Sequence, residues 1–586
     1  MKAIFWAGCL VAAVAHGEPA FVADGNMTLE QALEKSRTVT GEKKIIVRGT
    51  HVLAKPLTLT EKDNGLTFVS EDGVLSGGVR LADWKRDEKG LAYVEVPKGV
   101  RPRVAFREDG AFLEQAVYPK EGHLQNLNKP QKLWWTGSRG GGWNRPLTEE
   151  EVTIALLKPA DIPSGMDMEN AEITLFHSWD ESTVPVKSYD RATGRVAFAS
   201  PTEHPAGAFK NNDYLVRNVR EGMVPGRWYF DRKQSRVYYE PEKGEKQMAV
   251  IVSPLDNILL AEGVKNLRVE GLAFRYTNPS FQRSGLRSIN MPGAVECRDC
   301  ENVVLENCSF RQLGGHGVKF LRCKNLRVCD SFFCETGAGG IFTHECEDEL
   351  IARNVVKDIG RTFYASCSIH AGGKSLLVYI QDGRKQEKGC TKILNNVIDG
   401  SPYCGITCNG EGHAVQGNRI SRCMTKLNDG AAIYCSRAIG MNVCDNVVTG
   451  VHSHNDGLAI AYYFDEFSEN SVLRGNTAYD CFKPFLAHLA RRIRVENNVF
   501  TCKDSLTVML HGSENFLFKD NVFLTDGELE FSFRPDGIKT ADGRLKVFPF
   551  GSVFTNTLLY SRSGCYRSPK EPLPKINGVR TIEPLD

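Results

Sequence analysis

An asparagine that returns at an almost fixed interval constrains this chain more than any other feature. The segments NVVLENCSF, NLRVCDSFF, ELIARNVV, TKILNNVI, AVQGNRI, NVCDNVV, SVLRGNTAY, RVENNVF and FLFKDNVF are short and β-prone, and each carries Asn or Asp at one shared position. Those positions are Asn307, Asp330, Asn354, Asn396, Asn418, Asn446, Asn476, Asn498 and Asn521, with steps of 23, 24, 42, 22, 28, 30, 22 and 23 residues. A period of 22–24 residues with occasional excess predicts a parallel β-solenoid, an all-β fold whose coils stack about 4.8 Å apart. The Asn itself reads as a turn ladder. Its amide can bond its equivalent one coil on, and Asn tolerates a left-handed backbone.

Over roughly residues 250–530 this pattern resembles the right-handed parallel β-helix proteins of the pectate-lyase-like superfamily. That resemblance implies a scaffold rather than a chemistry, because the fold hosts lyases, hydrolases and adhesins. The long steps bear on function. Extra residues cannot enter a stacked strand without breaking its ladder, so they leave as loops, and loops on a solenoid wall a groove. The largest excess, SIHAGGKSLLVYIQDGRKQEKG, falls between Asn354 and Asn396, and the next two fall around Asp429 and Asp465.

The 586 residues exceed what one small domain needs, and the map they suggest has five parts. Residues 1–17 read as a secretory signal: one early Lys, an apolar run from Ala3 to Ala15, then small and polar residues. The run is too short to span a bilayer, so the chain is expected to be exported, periplasmic or extracellular, with no membrane span. Residues 18–80 form a cap and the first coils. Residues 81–250 lose the period, hold six of the seven Trp residues and read as an inserted β-rich domain, with GRWYFDRKQSRVYYEPEKG as a hairpin. Residues 251–560 form the solenoid, and 561–586 a tail. The net charge of +2 gives no bias toward nucleic acid. Of the 18 cysteines, 16 lie between Cys297 and Cys502 without metal-like spacing, so they read as small core residues.

Alternation then locates a polar row. In AAIYCSR, Ile433 and Cys435 point inward and Tyr434 and Ser436 outward; in IAYYFDE, Ile460, Tyr462 and Phe464 point inward and Tyr463 and Asp465 outward. His488 in FLAHLA and His511 in TVMLHG fall on the same line. The string SEN, shared by DEFSEN and LHGSEN, fixes this register to within one residue. Ser436, Asp465, His488 and His511 should therefore stack on successive coils about 5 Å apart, beside Tyr434 and Tyr463. Glu466 takes the place of Asp465 if the strand ends one residue early. Asp429 and Asp456 each sit in an NDG tripeptide before a strand and are expected to stack on one another. NDG is also a common turn string. Arg437 belongs to the same face, His344 projects toward the start of the row, and His370 lies in the largest insertion, where it could line a groove. In LWWTGSRGGGWNRP, an exposed Trp such as Trp135 beside flexible Gly suits stacking on a sugar face.

The order VLSGGVRLADW, then GRWYFDRKQSRVYYEP, then a solenoid resembles secreted bacterial β-helix proteins related to glycoside hydrolase family 141. The resemblance implies two catalytic aspartates, one in a DGGAIY-like segment and one in a YLDEGS-like segment. Here NDGAAIY places Asp429 at the first and YYFDEFS places Asp465 at the second, with Ala431 and Phe467 where the pattern has Gly. Stacking alone puts these two toward opposite ends of a strand, so Asp456 stands as a substitute partner. The expected activity is hydrolysis of a complex glycan by a carboxylate pair without a cofactor. Asp465 is the better acid, because aromatic neighbours raise a carboxyl pKa. A polysaccharide lyase using Ca²⁺ and a non-catalytic carbohydrate-binding solenoid are the alternatives. The sequence leaves the oligomeric state open.

Overall fold

The structure, a computed structural model, describes residues 20–136, 142–245, 248–280, 283–372, 390–452, 457–534, 537–539, 545–547, 551–567, 576–577 and 580–581. The proposed signal segment lies outside the described residues. No helix among them is long and apolar enough to cross a membrane.

Three parallel stacks of short strands wind into a β-helix. One stack holds thirteen strands, from Leu57–Leu59 to Tyr566–Arg567. The other two are joined into one sheet because Lys43–Val52 and Leu66–Ser76 are long enough to run through both. At the N-terminal end, helix Leu29–Ser36 covers the first coil. Its start is set by a capping box in which Thr28 and Gln31 exchange side-chain and backbone hydrogen bonds.

The corner between the two joined stacks carries the ladder. Asn354, Asn396, Asn418, Asn446, Asn476, Asn498 and Asn521 are buried, and each backbone N–H from Asn354 to Asn498 donates to the side-chain oxygen of the next, at 2.9–3.0 Å. Each side-chain amide also donates to a carbonyl of the preceding coil, as Asn446 does to Val415 (2.9 Å). The left-handed residue is the one before the ladder Asn: Arg353, Asn395, Asp445, Asn497 and Asp520 have φ near +55°. Asn307 and Asp330 occupy that left-handed position, so they stand one residue ahead of the ladder. Their ladder equivalents are Cys308 and Ser331, and the Cys308 N–H donates to the Ser331 hydroxyl (3.1 Å) and the Ser331 N–H to Asn354 (3.0 Å). Inside, stacked rings such as Phe274, Phe310 and Phe333, 4.7–4.9 Å apart, continue the same translation. The described cysteines are all free and most are buried, which fits small apolar filling of the coils.

Strands from Val79–Arg80 to Val250–Val252 leave the solenoid and return to it. Between them lie an eight-stranded and a seven-stranded sheet, both mainly antiparallel. The hairpin expected in GRWYFDRKQSRVYYEPEKG is present, with Arg227–Asp231 antiparallel to Arg236–Tyr239. This inserted unit is seated on the solenoid by buried polar contacts. Arg217 Nη1 donates to the Thr362 carbonyl (2.9 Å), the Tyr364 N–H donates to Glu181 (3.1 Å), and the Asn428 N–H donates to the Ser178 carbonyl (3.0 Å).

Candidate active site

Five strands of the thirteen-stranded stack form the floor of the site: Ile406–Glu411, Gly430–Ile439, Ala459–Asp465, Phe485–His488 and Leu506–His511. Their register pairs Tyr434 with Tyr463, Ser436 with Asp465 and His488 with His511. Phe464 pairs with Ala487, which brings Asp465 alongside His488. The outward row is therefore Ser436, Asp465, His488 and His511, with Tyr434 and Tyr463 beside it. The strand ends at Asp465, so Asp465 rather than Glu466 belongs to the row. The inward residues Ile433, Cys435, Tyr462 and Phe464 are about 1 % exposed. The outward tyrosines are buried as well, because the inserted unit lies over this end of the sheet.

A cavity of about 420 Å³ opens above the row. Asp429, Asp465, Glu466, His488, His511, Tyr434, Tyr463, Arg437 and Trp135 all line it. Trp179, Arg287 and Tyr403 also line it and were not anticipated. Trp179 comes from the inserted unit, and Arg287 and Tyr403 from irregular segments between solenoid strands, so no period marks them. Trp135 and Trp179 come from the inserted unit and pack edge to face with each other (5.6 Å) and with His204. The glycines between Trp135 and Trp143 lie mostly outside the described residues; the two Trp rings meet edge to face at 5.2 Å.

Asp429 is held by contacts that its tripeptide makes possible. Its backbone is left-handed at φ +55°, which Asp tolerates better than most residues. Its carbonyl accepts from the Tyr403 hydroxyl (2.9 Å), and the preceding N–H is fixed by Ser178. Gly430 has no substitute here: a Cβ would lie 2.4 Å from the Tyr403 ring. The Tyr463 hydroxyl lies 3.5 Å from Asp429 Oδ1 and also feels the charge of Asp465. The two carboxyls therefore face one another across a single tyrosine, although their residues stand far apart along the strand.

Gly430 pairs with Ala459, and Gly457 lies against Asn428. Asp456 lies outside the described residues, and with it the expected stacking on Asp429. His370 does not line the cavity. It sits in strand Ile369–Gly372, buried, with Nδ1 2.6 Å from the Thr407 hydroxyl and its ring over Phe342. Being flanked in the sheet by Phe342 and Thr407, it packs between coils instead of facing a groove. His344 stands at the start of the row, beyond the cavity wall.

The electrostatics separate the carboxyls. Burial works to raise Asp465, but the His488 imidazole at 2.9 Å and the Tyr434 hydroxyl at 2.5 Å overcome it and hold its pKa below 3.8. Burial likewise works against His488, and Asp465 reverses this, raising the imidazole to about 9. The two form an ion pair. Burial, and then the Asp465 charge, push Asp429 up to about 6 and Glu466 up to about 7. These directions run against the expectation that Asp465 is the acid and favour Asp429: the aromatic neighbour Tyr434 donates a hydrogen bond to Asp465 and stabilises its charge. One ionised carboxylate thus stands beside two carboxyls that keep their protons into the weakly acidic range, the arrangement that acid–base chemistry at a glycosidic bond needs.

The fold is a right-handed parallel β-helix. A family model described as the right handed beta helix region matches residues 377–528. Among solved structures, one titled "Glycoside hydrolase" is similar over 85 % of this chain and 93 % of its own, at 18 % identity and a TM-score of 0.58. The Yersinia enterocolitica family 28 exopolygalacturonase is similar over 95 % of this chain and 79 % of its own, at 10 % identity and a TM-score of 0.30. No curated protein matches the chain by sequence. At 18 % identity the first likeness is one of fold.

Proposed function

We propose that this protein is a glycoside hydrolase that cleaves a glycosidic bond within the cavity over the outward row. Asp429 is the general acid and gives its proton to the leaving oxygen. Asp465 acts at the anomeric carbon, as nucleophile or as base toward water. Tyr434 and His488 keep Asp465 ionised, and Tyr463 holds the two carboxyls in mutual reach. Trp135 and Trp179 offer ring faces to the sugar. Glu466 and His511 contribute polar wall. The observation that carries this reading is the coexistence, in one cavity, of a carboxylate held below its ordinary pKa and a carboxyl held well above it. The apolar run of the N-terminal residues supports export, with a glycan outside the cytoplasm as substrate.

The test is a screen of aryl glycosides and glycan fragments with wild type beside Asp465→Asn. Wild type should release aglycone or reducing ends from at least one substrate, and the variant should lose about a hundredfold or more. Glycan binding that survives Asp429→Asn and Asp465→Asn, with no turnover by wild type, would instead identify a binding solenoid.

A further inference from the structure

Arg287 is a charged residue of the cavity that the proposed chemistry leaves unused. It projects from the turn Leu286–Ser288, with a left-handed backbone at φ +54° that few side chains adopt. The turn is pinned from below. The Ser288 carbonyl accepts from His316 Nε2 (2.9 Å), while His316 Nδ1 accepts from the Gly339 N–H (3.0 Å), so this imidazole is neutral and its tautomer is set. The Ser288 hydroxyl meets the Ser366 hydroxyl (2.8 Å), and Lys319 Nζ donates to the carbonyls of Ile289 and Met291 (2.8 and 2.9 Å). The guanidinium is thus delivered to a fixed place.

At that place it is paired with no anion among the described residues. Its Nε is buried without a hydrogen-bond partner, and its guanidinium lies 5.7 Å over the Tyr434 ring. The groups that feel it most are Tyr434, Tyr403, Cys367 and Cys404, none of them a carboxylate. Among the described residues it makes no ion pair, whereas Asp465 is already paired with His488. Of the guanidinium only Nε is taken out of water, the residue being partly exposed to the cavity, and its planar fork matches a carboxylate or an oxyanion in two parallel hydrogen bonds. Its field also reaches His370 and His344, so it stands over the coils that precede the carboxyls. Arg287 thus stands toward the lower-numbered coils, apart from the carboxyls, whose own cationic neighbours are His488 and Arg437.

We infer that Arg287 determines specificity by binding an anionic substituent of the sugar, a carboxylate or a sulfate ester, beside the proposed cleavage point. The place of cleavage rests on the hydrolase reading; the binding itself is separable. The test uses the full chain with Asp465→Asn, which prevents turnover, in gels cast with polygalacturonate, alginate, carrageenan (sulfated and free of uronate), galactomannan or galactan. At least one acidic polysaccharide should retard the protein. Adding Arg287→Gln should weaken that retardation at least tenfold, Arg287→Lys should retain part of it, and the exposed control Lys89→Gln should leave it unchanged. Whether the uronate polymers or the sulfated one retards the protein identifies the substituent. Retention of full binding by Arg287→Gln, retardation by neutral polymers alone, or no retardation at all overturns the inference. Reducing-end release by wild type on the same polymers keeps the two readings apart. Turnover of a neutral glycan that ignores Arg287→Gln sinks this inference alone, and Arg287-dependent binding without turnover of any polymer sinks the hydrolase alone.

Discussion

Replacing Asp429 with Asn should stabilise the protein at neutral pH while abolishing turnover. Asn has nearly the same shape and keeps an oxygen for the Tyr463 hydroxyl, so the change removes mainly a charge. The rise in the Asp429 pKa from 3.8 to about 6 corresponds to about 3 kcal/mol of penalty on the ionised form. Below pH 3.8 the carboxyl is protonated whether the chain is folded or not, and it contributes nothing to the pH dependence. Between pH 3.8 and 6 the unfolded chain loses the proton and the folded chain keeps it, so stability falls as the pH rises. Above pH 6 the whole penalty is in place. Thermal unfolding of wild type and Asp429→Asn, recorded side by side at one scan rate from pH 4 to 8, should show a gap in favour of the variant. The gap should open up to pH 6 and then level off, at a few degrees for about 3 kcal/mol in a chain of this size. Equal or lower stability of the variant at pH 7 would mean that Asp429 ionises there without cost, and its role as the acid would fall.

Three further outcomes follow from the same contacts. His488 is raised to about 9, so the stability it contributes is complete below pH 6.5 and lost as the pH rises through 9; His488→Gln should flatten that alkaline decline and, in a pH–rate profile, move the acidic limb of Asp465 upward. Asn446→Ala removes a ladder member that accepts from Asn418 and donates to Val415, leaving buried groups unpaired, and should cost about 2–4 kcal/mol by denaturant unfolding; an unchanged midpoint would contradict the ladder's role. Gly430→Ala places a Cβ 2.4 Å from the Tyr403 ring and should cut kcat at least about tenfold by displacing Asp429, with circular dichroism unchanged.

What the chain discloses before folding depends on what repeats. Ser436, Asp465, His488 and His511 were legible as one row because period-two alternation and the SEN string recur from coil to coil, and stacking converts that recurrence into proximity. The ladder was legible apart from its first two members. Asn and Asp serve both the left-handed corner and the ladder position beside it, so Asn307 and Asp330 could be read one residue out of step. Arg287, Trp179 and Tyr403 were not legible. They arrive from irregular segments whose paths are set by tertiary contacts such as the one between Ser178 and Asn428. Which carboxyl favours its proton was not legible either. A sequence shows aromatic neighbours as a desolvating surface, whereas the Tyr434 hydroxyl and the His488 imidazole bind the Asp465 charge directly.

The chemical nature of the product offers the most direct test. Proton NMR of a glycan digested by wild type should show a saturated sugar with a new reducing end, absent from digests by Asp465→Asn. An unsaturated uronate at the new non-reducing end would contradict the account, because elimination needs no carboxyl to protonate the leaving oxygen while another attacks the anomeric carbon.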